Sequence, residues 1–284
     1  MKKAIFTLAI GDNPMYRAAL KSFERYAEKV GADLVVSDRL HYKIHIENPK
    51  YSASPAWPEK LYTAELLKQY DRVLYLDADI MVTPWARDIF EEYQDLETVY
   101  MFDEGPYTDR TIPVGEINAA FDAVESWPQT DGHYSYYNFG MFLISKECPL
   151  FELATLEGMQ QVCNTVKFYD QTYVNYVIQK NKIKNQGVDA AFNRMDLLGN
   201  EDYRKADFIH YAGRGYRIKC PSREIRYVDD YCQMYGDTLT PAEIKQLKLD
   251  AWNLYTANLK RKSGVPQGLL NFIGKPTLGR KWLK

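Results

Sequence analysis

Residues 73–76, Val73-Leu74-Tyr75-Leu76, are apolar at every position, and the run ends on two acids, Asp77-Ala78-Asp79. A strand that is apolar on both faces belongs inside a sheet covered on both sides, as parallel α/β sheets are. The flanking sequence fits that arrangement. Residues 4–10 read as a second core strand, and Asn13 can cap a helix with Pro14 in its first turn. Ala19, Phe23, Tyr26 and Val30 keep helical spacing until Gly31 stops the helix, and residues 32–37 supply another strand. Residues 57–70 read as a helix with Pro58 in its first turn and Leu61, Ala64, Leu67 and Lys68 in amphipathic order. Strands alternating with helices define an α/β class with a Rossmann-like, mixed but mostly parallel sheet flanked by helices.

Further along, residues 84–93 suggest a short helix, and residues 98–102 and 138–145 suggest strands. Between the two strands lies an irregular stretch, residues 103–137, with Pro106, Pro113, Gly115, Pro128 and Gly132. Ile117, Phe121 and Val124 permit one helix inside it, and Trp127, Tyr134, Tyr136 and Tyr137 favour an ordered insertion, read here as an acceptor-side lid. The expected division is a main domain over residues 1–220 and a helical, basic and aromatic extension over residues 221–284.

Several function classes are excluded by composition. A formal net charge of -2 over 284 residues leaves no global basic footprint for nucleic acid. The four cysteines form no C-x-x-C pair and are too few for a disulfide framework, so free thiols in a reducing compartment are expected. Met1-Lys2-Lys3 and the apolar run after it mimic a signal peptide, but Gly11-Asp12-Asn13-Pro14 offers no small-residue cleavage site, and a buried strand fits better. No stretch reaches the roughly 20 apolar residues that span a bilayer. Residues 251–284 contain no acid, and Lys260, Arg261, Lys262, Lys275, Arg280, Lys281 and Lys284 alternate there with Trp252, Phe272 and Trp282. Such a segment suits an anionic membrane surface or a solvated tail docked on the body. The expectation is a cytoplasmic protein with peripheral membrane contact through this tail.

Asp77 and Asp79 are two residues apart, so both carboxylates can face one cation at the carboxyl end of the strand, where open α/β sheets bind ligands. A cation there can bridge phosphates; the bland alternative is a pair of acids capping the next turn. Leu76-Asp77-Ala78-Asp79-Ile80 also resembles the nucleophile motif of haloacid dehalogenase-type phosphatases. That class places the motif on its first strand and wants Thr or Val where Met81 stands, and both features fail. Of the four histidines, His210 follows the apolar Phe208-Ile209 and precedes Gly213 and Arg214. Two carboxylates and one imidazole suit Mn2+ best and Mg2+ acceptably.

Trp57-Pro58-Glu59-Lys60, followed by Tyr70-Asp71-Arg72 and the acidic strand, resembles the nucleotide-sugar core of glycosyltransferase family 8, the glycogenin and lipopolysaccharide galactosyltransferase group. Thr7-Leu8-Ala9-Ile10 with Tyr16 resembles the strand that frames the uracil, although a small insertion precedes Tyr16. Tyr137-Asn138-Phe139-Gly140 resembles the family's strand beside the donor sugar, and Asp170-Gln171 its pair near the anomeric carbon. Phe208-Ile209-His210-Tyr211-Ala212-Gly213 resembles its late His-x-x-Gly segment.

The resemblance implies the GT-A fold, a UDP-sugar donor, a glycan or lipid-linked acceptor and transfer of a hexose with retention of configuration. It makes Asp77, Asp79 and His210 the metal ligands, and Asp170 and Gln171 the catalytic pair. It places Leu8, Ala9, Ile10, Tyr16, Lys60, Ala78, Asp103, Asn138 and Gly213 on the donor. The family's Lys-Pro-Trp after the glycine is replaced by Arg214-Gly215-Tyr216-Arg217, so Arg214 or Arg217 would take the lysine's place on the diphosphate. From the residues alone, Asp170 can equally cap the helix that follows it, Lys60 can be a surface lysine, Asp103 can turn the chain, and Asn138 can start a strand. A non-catalytic nucleotide-sugar-binding subunit is the non-enzyme alternative, and the intact Asp, Asp, His set opposes it.

Overall fold

The computed structural model describes residues 1–216 and 220–274. Its strands are β1 (Lys3–Leu8), β2 (Asp33–Ser37), β3 (Arg72–Leu76), β4 (Ile80–Val82), β5 (Val99–Asp103), β6 (Gln129–Thr130), β7 (His133–Tyr134), β8 (Tyr137–Ser145), β9 (Asn185–Gly187) and β10 (Phe208–His210). The helices are α1 (Pro14–Val30), α2 (Thr63–Leu66), α3 (Ile89–Glu92), α4 (Thr111–Ala120), α5 (Leu150–Leu153), α6 (Leu156–Val162), α7 (Tyr169–Lys180), α8 (Arg223–Met234), α9 (Pro241–Ser263) and α10 (Gln267–Gly274). They fall into two compact units. The first comprises Met1–Ile10, Ala27–Asp77 and Arg87–Asn193, and the second Gly11–Tyr26, Ala78–Ala86 and the chain from Arg194 onward.

The first unit is built on a six-stranded sheet of order β2-β1-β3-β8-β5-β9. β1 pairs in parallel with β2 and β3, and β5 with β9, whereas β8 runs antiparallel to both its neighbours. Every residue of β3 and β8 is buried, as expected of central strands covered on both faces. Even Arg72, which opens β3, is buried; its guanidinium donates to Ser145 Oγ (3.1 Å), Phe90 O (2.9 Å) and Tyr93 O (2.5 Å). Between Met101 and Phe102 the register with β8 shifts, so that Met101 faces Phe142 but Phe102 faces Asn138. This bulge separates an apolar stretch of β8 from a polar end that carries Asn138.

Local structure departs from the sequence pattern where buried polar groups intervene. Residues 57–70 form a 3-10 helix, Trp57–Tyr62, followed by the single turn α2, not one amphipathic helix. Pro58, Glu59, Lys60 and Leu61 are buried in succession, which one apolar stripe of an α-helix does not accommodate. The Glu59 carboxylate accepts from His41 N and Tyr42 N, both at 2.8 Å. Only Ile89–Glu92 of residues 84–93 is helical, because Asp88 is the cap and accepts from Phe90 N at 2.8 Å. Residues 103–137 are ordered, with α4 and the hairpin β6–β7, whose turn residues Asp131 and Gly132 both have positive φ (51° and 82°). Val114, Ile117, Trp127 and Tyr136 from this stretch join the main hydrophobic core.

In the second unit β4 and β10 pair antiparallel, with His210 opposite Ile80. Ser222 caps α8, and Tyr227 and Tyr235 near α8 donate their hydroxyls to Ile80 O (2.8 Å) and Val82 O (2.6 Å) on β4. α9 opens on a capping box, Thr240 with Glu243, and closes on Gly264 with φ 73°. Ile225, Val228 and Cys232 of α8 form a core with Ala251 and Trp252 of α9, and Trp252 Nε1 donates to Asn271 Oδ1 of α10 at 2.8 Å. This unit draws on three stretches of chain: β4 takes β10 as its partner and is fastened by the hydroxyls of Tyr227 and Tyr235. No helix among the described residues is long and apolar enough to cross a membrane, and the four cysteines are free.

Candidate functional site

β3 leaves the sheet at Leu76, and the chain passes from the first unit to the second through the Asp77–Ala78 peptide bond. On the first side, Asp77 N donates to Gly140 O of β8 at 2.8 Å, and the Tyr75 hydroxyl donates to Asp77 Oδ1 at 2.6 Å. Lys60 Nζ is 3.6 Å from the same Asp77 oxygen and 3.2 Å from Asp170 Oδ2. Lys60 and Asp170 side chains are each only 7% exposed, so this lysine is a buried counter-ion and not a surface residue of its helix. Asp170 stands in the first turn of α7 but does not cap it: the cap position is Phe168, in the left-handed conformation (φ 52°). Its carboxylate is turned to Lys60 instead.

On the second side, Tyr211 N donates to Asp79 O at 2.9 Å, which aligns the residues after β10 with the turn before β4. His210, buried, brings Nε2 to 3.2 Å from Asp79 Oδ1. Arg223 Nη1 donates to Asp79 Oδ2 at 2.9 Å and to Tyr211 O at 3.3 Å. Asp77 stands two residues before Asp79, and one ligand atom from each of Asp77, Asp79 and His210 lies within 4.8 Å of the other two. Among the described residues it is the single such cluster of three. Two hard oxygen donors and one imidazole nitrogen, converging this closely, fit a divalent cation of the Mn2+ or Mg2+ kind.

A second cluster surrounds Gln171 in the first unit. Gln171 Oε1 accepts from Phe139 N (2.9 Å) and Asn138 Nδ2 (3.3 Å), and its Nε2 donates to Glu104 Oε1 (2.9 Å). Glu104, buried, also accepts from Arg110 Nη2 (2.5 Å) and Asn138 Nδ2 (3.0 Å). Asn138 Oδ1 accepts from Gly140 N and Asn193 Nδ2, both at 3.1 Å. Both amide hydrogens and both carbonyl lone pairs of Asn138 are thus engaged within the protein, which leaves none for a sugar hydroxyl in this arrangement. Asp103 accepts from Gly105 N (3.0 Å), Tyr136 N (2.9 Å) and Ser135 Oγ (2.7 Å), so it turns the chain. Glu104, Arg110 and Asn193 were not signalled by any motif; a buried acid in an irregular stretch has no sequence signature until its partners are seen.

The remaining expected residues are placed by simpler means. Leu8, Ala9 and Ile10 are half-buried at and just beyond the end of β1, with Ala9 N donating to Ser37 O at 2.9 Å. Tyr16 is half-buried in the first turn of α1, and Ala78 is buried between the two acids. Gly213 (φ 58°) and Arg214 lie exposed in the turn after β10. Gly215 has φ 45°, and a Cβ there would come within 2.8 Å of Tyr211 O, so this position needs glycine. Arg217 lies outside the described residues. A cavity of about 390 Å³ opens beside Arg223, walled also by Gly213, Ser222, Glu224, Tyr255 and Arg261.

A mainly parallel sheet flanked by helices is the architecture of the GT-A glycosyltransferases. Two solved structures share it. One is the galactosyltransferase LgtC in complex with donor and acceptor sugar analogues, at 19% identity and a TM-score of 0.53, covering 86% of this chain and 99% of that one. The other is an active-site glutamine-to-glutamate mutant of LgtC, at 17% identity and a TM-score of 0.51, with the same coverage. The chain belongs to glycosyl transferase family 8, whose sequence profile matches residues 6–215. It is a glycosyltransferase. A comparison with curated protein sequences finds no match.

Proposed function

We propose that the protein moves a hexose from a UDP-sugar to an acceptor hydroxyl with retention of configuration, using a divalent cation held by Asp77, Asp79 and His210. The observation that carries this reading is the convergence of those three ligand atoms within 4.8 Å in a chain of family 8. When bound, the cation, Mn2+ or Mg2+, supplies Lewis-acid stabilisation to the departing diphosphate. Arg214 or Arg217 supplies further positive charge to that diphosphate. Leu8, Ala9, Ile10 and Tyr16 frame the base, and Ala78 lets the ribose and phosphates approach the backbone between the acids.

Asp170 and Gln171 face the developing positive charge at the anomeric carbon. Lys60 keeps the Asp170 carboxylate oriented, and the Glu104–Asn138 pair fixes the Gln171 amide, so neither group must reorganise during transfer. Asn138 and Asp103 therefore act on the sugar through their neighbours and not by contact. The acceptor is a glycan or a lipid-linked glycan. Leu269 and Phe272 of α10 are exposed, Phe272 at 79%, close in sequence to Lys260, Arg261 and Lys262, which supports contact with an anionic membrane; the basic residues after 274 lie outside the described residues.

The test is Mn2+-dependent hydrolysis across UDP-glucose, UDP-galactose and their N-acetyl forms. Asp77→Ala, Asp79→Ala and His210→Ala should each reduce turnover by about 100-fold or more. Wild-type turnover in all three would remove the site.

A further inference from the structure

The two oxygens of Asp79 have different neighbours. Oδ1 faces His210 Nε2 at 3.2 Å, whereas Oδ2 accepts from Arg223 Nη1 at 2.9 Å. The same Nη1 reaches Tyr211 O at 3.3 Å, and Tyr211 N donates to Asp79 O at 2.9 Å. One guanidinium thus touches the side chain of Asp79 and the backbone of the residue that holds Asp79's own carbonyl. Its other edge lies 3.7 Å from Glu224.

Arg223 is also firmly placed. It is the first residue of α8, directly after the Ser222 cap, and α8 and the turn after it are fastened to β4 by the Tyr227 and Tyr235 hydroxyls. β4 begins at Ile80, next to Asp79. The arginine and the acid are 144 residues apart in sequence but are carried by elements that hydrogen-bond to each other. The family match ends at residue 215, so Arg223 lies outside it.

We infer that Arg223 is a positioning residue for the cation site: by holding Oδ2 it stops the Asp79 carboxylate from rotating and leaves Oδ1 as the single oxygen aimed at the cation beside His210. An unrestrained carboxylate offers a cation either oxygen, or both, and the rotational freedom is lost on binding. A guanidinium on one oxygen removes that freedom beforehand, which is how outer partners orient metal ligands. The inference rests on the cation reading given above. Tying α8 to β4 does not require Arg223, because Tyr227 and Tyr235 already do so.

The experiment is a Mn2+ titration of the full chain without donor, read by the electron paramagnetic resonance signal of free Mn2+, with Tm measured alongside. Arg223→Ala should weaken Mn2+ binding by about 10-fold or more, and Arg223→Lys, which keeps the charge but loses the planar fork, should fall between. Thr240→Ala, which removes the α9 cap, should lower Tm and leave Mn2+ affinity at the wild-type value. Equal or tighter Mn2+ binding by Arg223→Ala overturns the inference, as does an affinity that merely follows Tm across the three variants. If Arg223→Ala does not fold, Arg223→Lys decides by the same criterion. A wild type that takes up no Mn2+ removes the cation reading and this inference together, whereas a wild type that binds and an Arg223→Ala variant that binds equally removes only the role of Arg223.

Discussion

Asp77 and Asp79 are two residues apart and each has a cation beside it, yet the two cations are of different kinds. Lys60, beside Asp77, is buried and is shared with the buried Asp170. Arg223, beside Asp79, is about a quarter exposed and donates through one nitrogen. A buried lysine between two acids cannot be removed without stranding charge in a poorly solvated place, so its first effect is on folding. A partly exposed arginine contributes little to folding, and its effect lies in where it points the acid. The difference teaches that neighbouring acids of one motif can be supported for different ends.

Lys60→Ala should break the comparison most severely. Asp170 would lose its counter-ion while buried, and stability should fall by about 3–5 kcal/mol in urea unfolding. A loss below about 1 kcal/mol would show that Lys60 is no more structural than Arg223. Arg223→Ala, by contrast, should cost about 1 kcal/mol or less in the same assay, and a larger loss would erase the contrast from the other side.

A smaller effect concerns Asp230 of α8, which accepts from the Tyr203 (2.5 Å) and Tyr211 (2.8 Å) hydroxyls and pairs with Arg204 (2.5 Å). Burial pushes its carboxyl above the usual carboxylate range, against the pull of Tyr203 and Arg204. The native state therefore holds this proton more tightly than the unfolded chain. The stability this proton provides is full below the ordinary carboxylate value and is lost as pH rises through the raised one. Asp230→Asn should flatten that part of the stability profile across the acid range, measured by Tm against pH; an unchanged profile would place the slope elsewhere.

Much of the fold could be read from the chain because its signals are local. Apolar strands, Asn13 before Pro14, and Gly31 after Val30 are short-range features, and Asn13 Oδ1 does accept from Met15 N at 2.9 Å while Gly31 takes φ 65°. The family resemblance and the sheet class followed from the acidic strand and the segments around it. What was not legible depends on distant segments meeting. Glu104 has no meaning until Arg110, Asn138 and Gln171 surround it, and the bulge in β8 that brings Asn138 opposite Phe102 has no pattern of its own. Arg223 needs a helix fastened to β4. The alternative that Asp170 caps its helix falls for the same reason: its carboxylate finds a lysine 110 residues earlier in the chain.

The saturated amide of Asn138 has a consequence for anyone wishing to alter what this enzyme accepts. A group with every donor and acceptor engaged cannot be exchanged singly, since each replacement orphans a neighbour and costs about 1–3 kcal/mol per stranded polar group. Substitutions at positions 104, 138 and 171 should therefore travel together through a library or a lineage, and redesign of this cluster should treat the trio as one heritable letter.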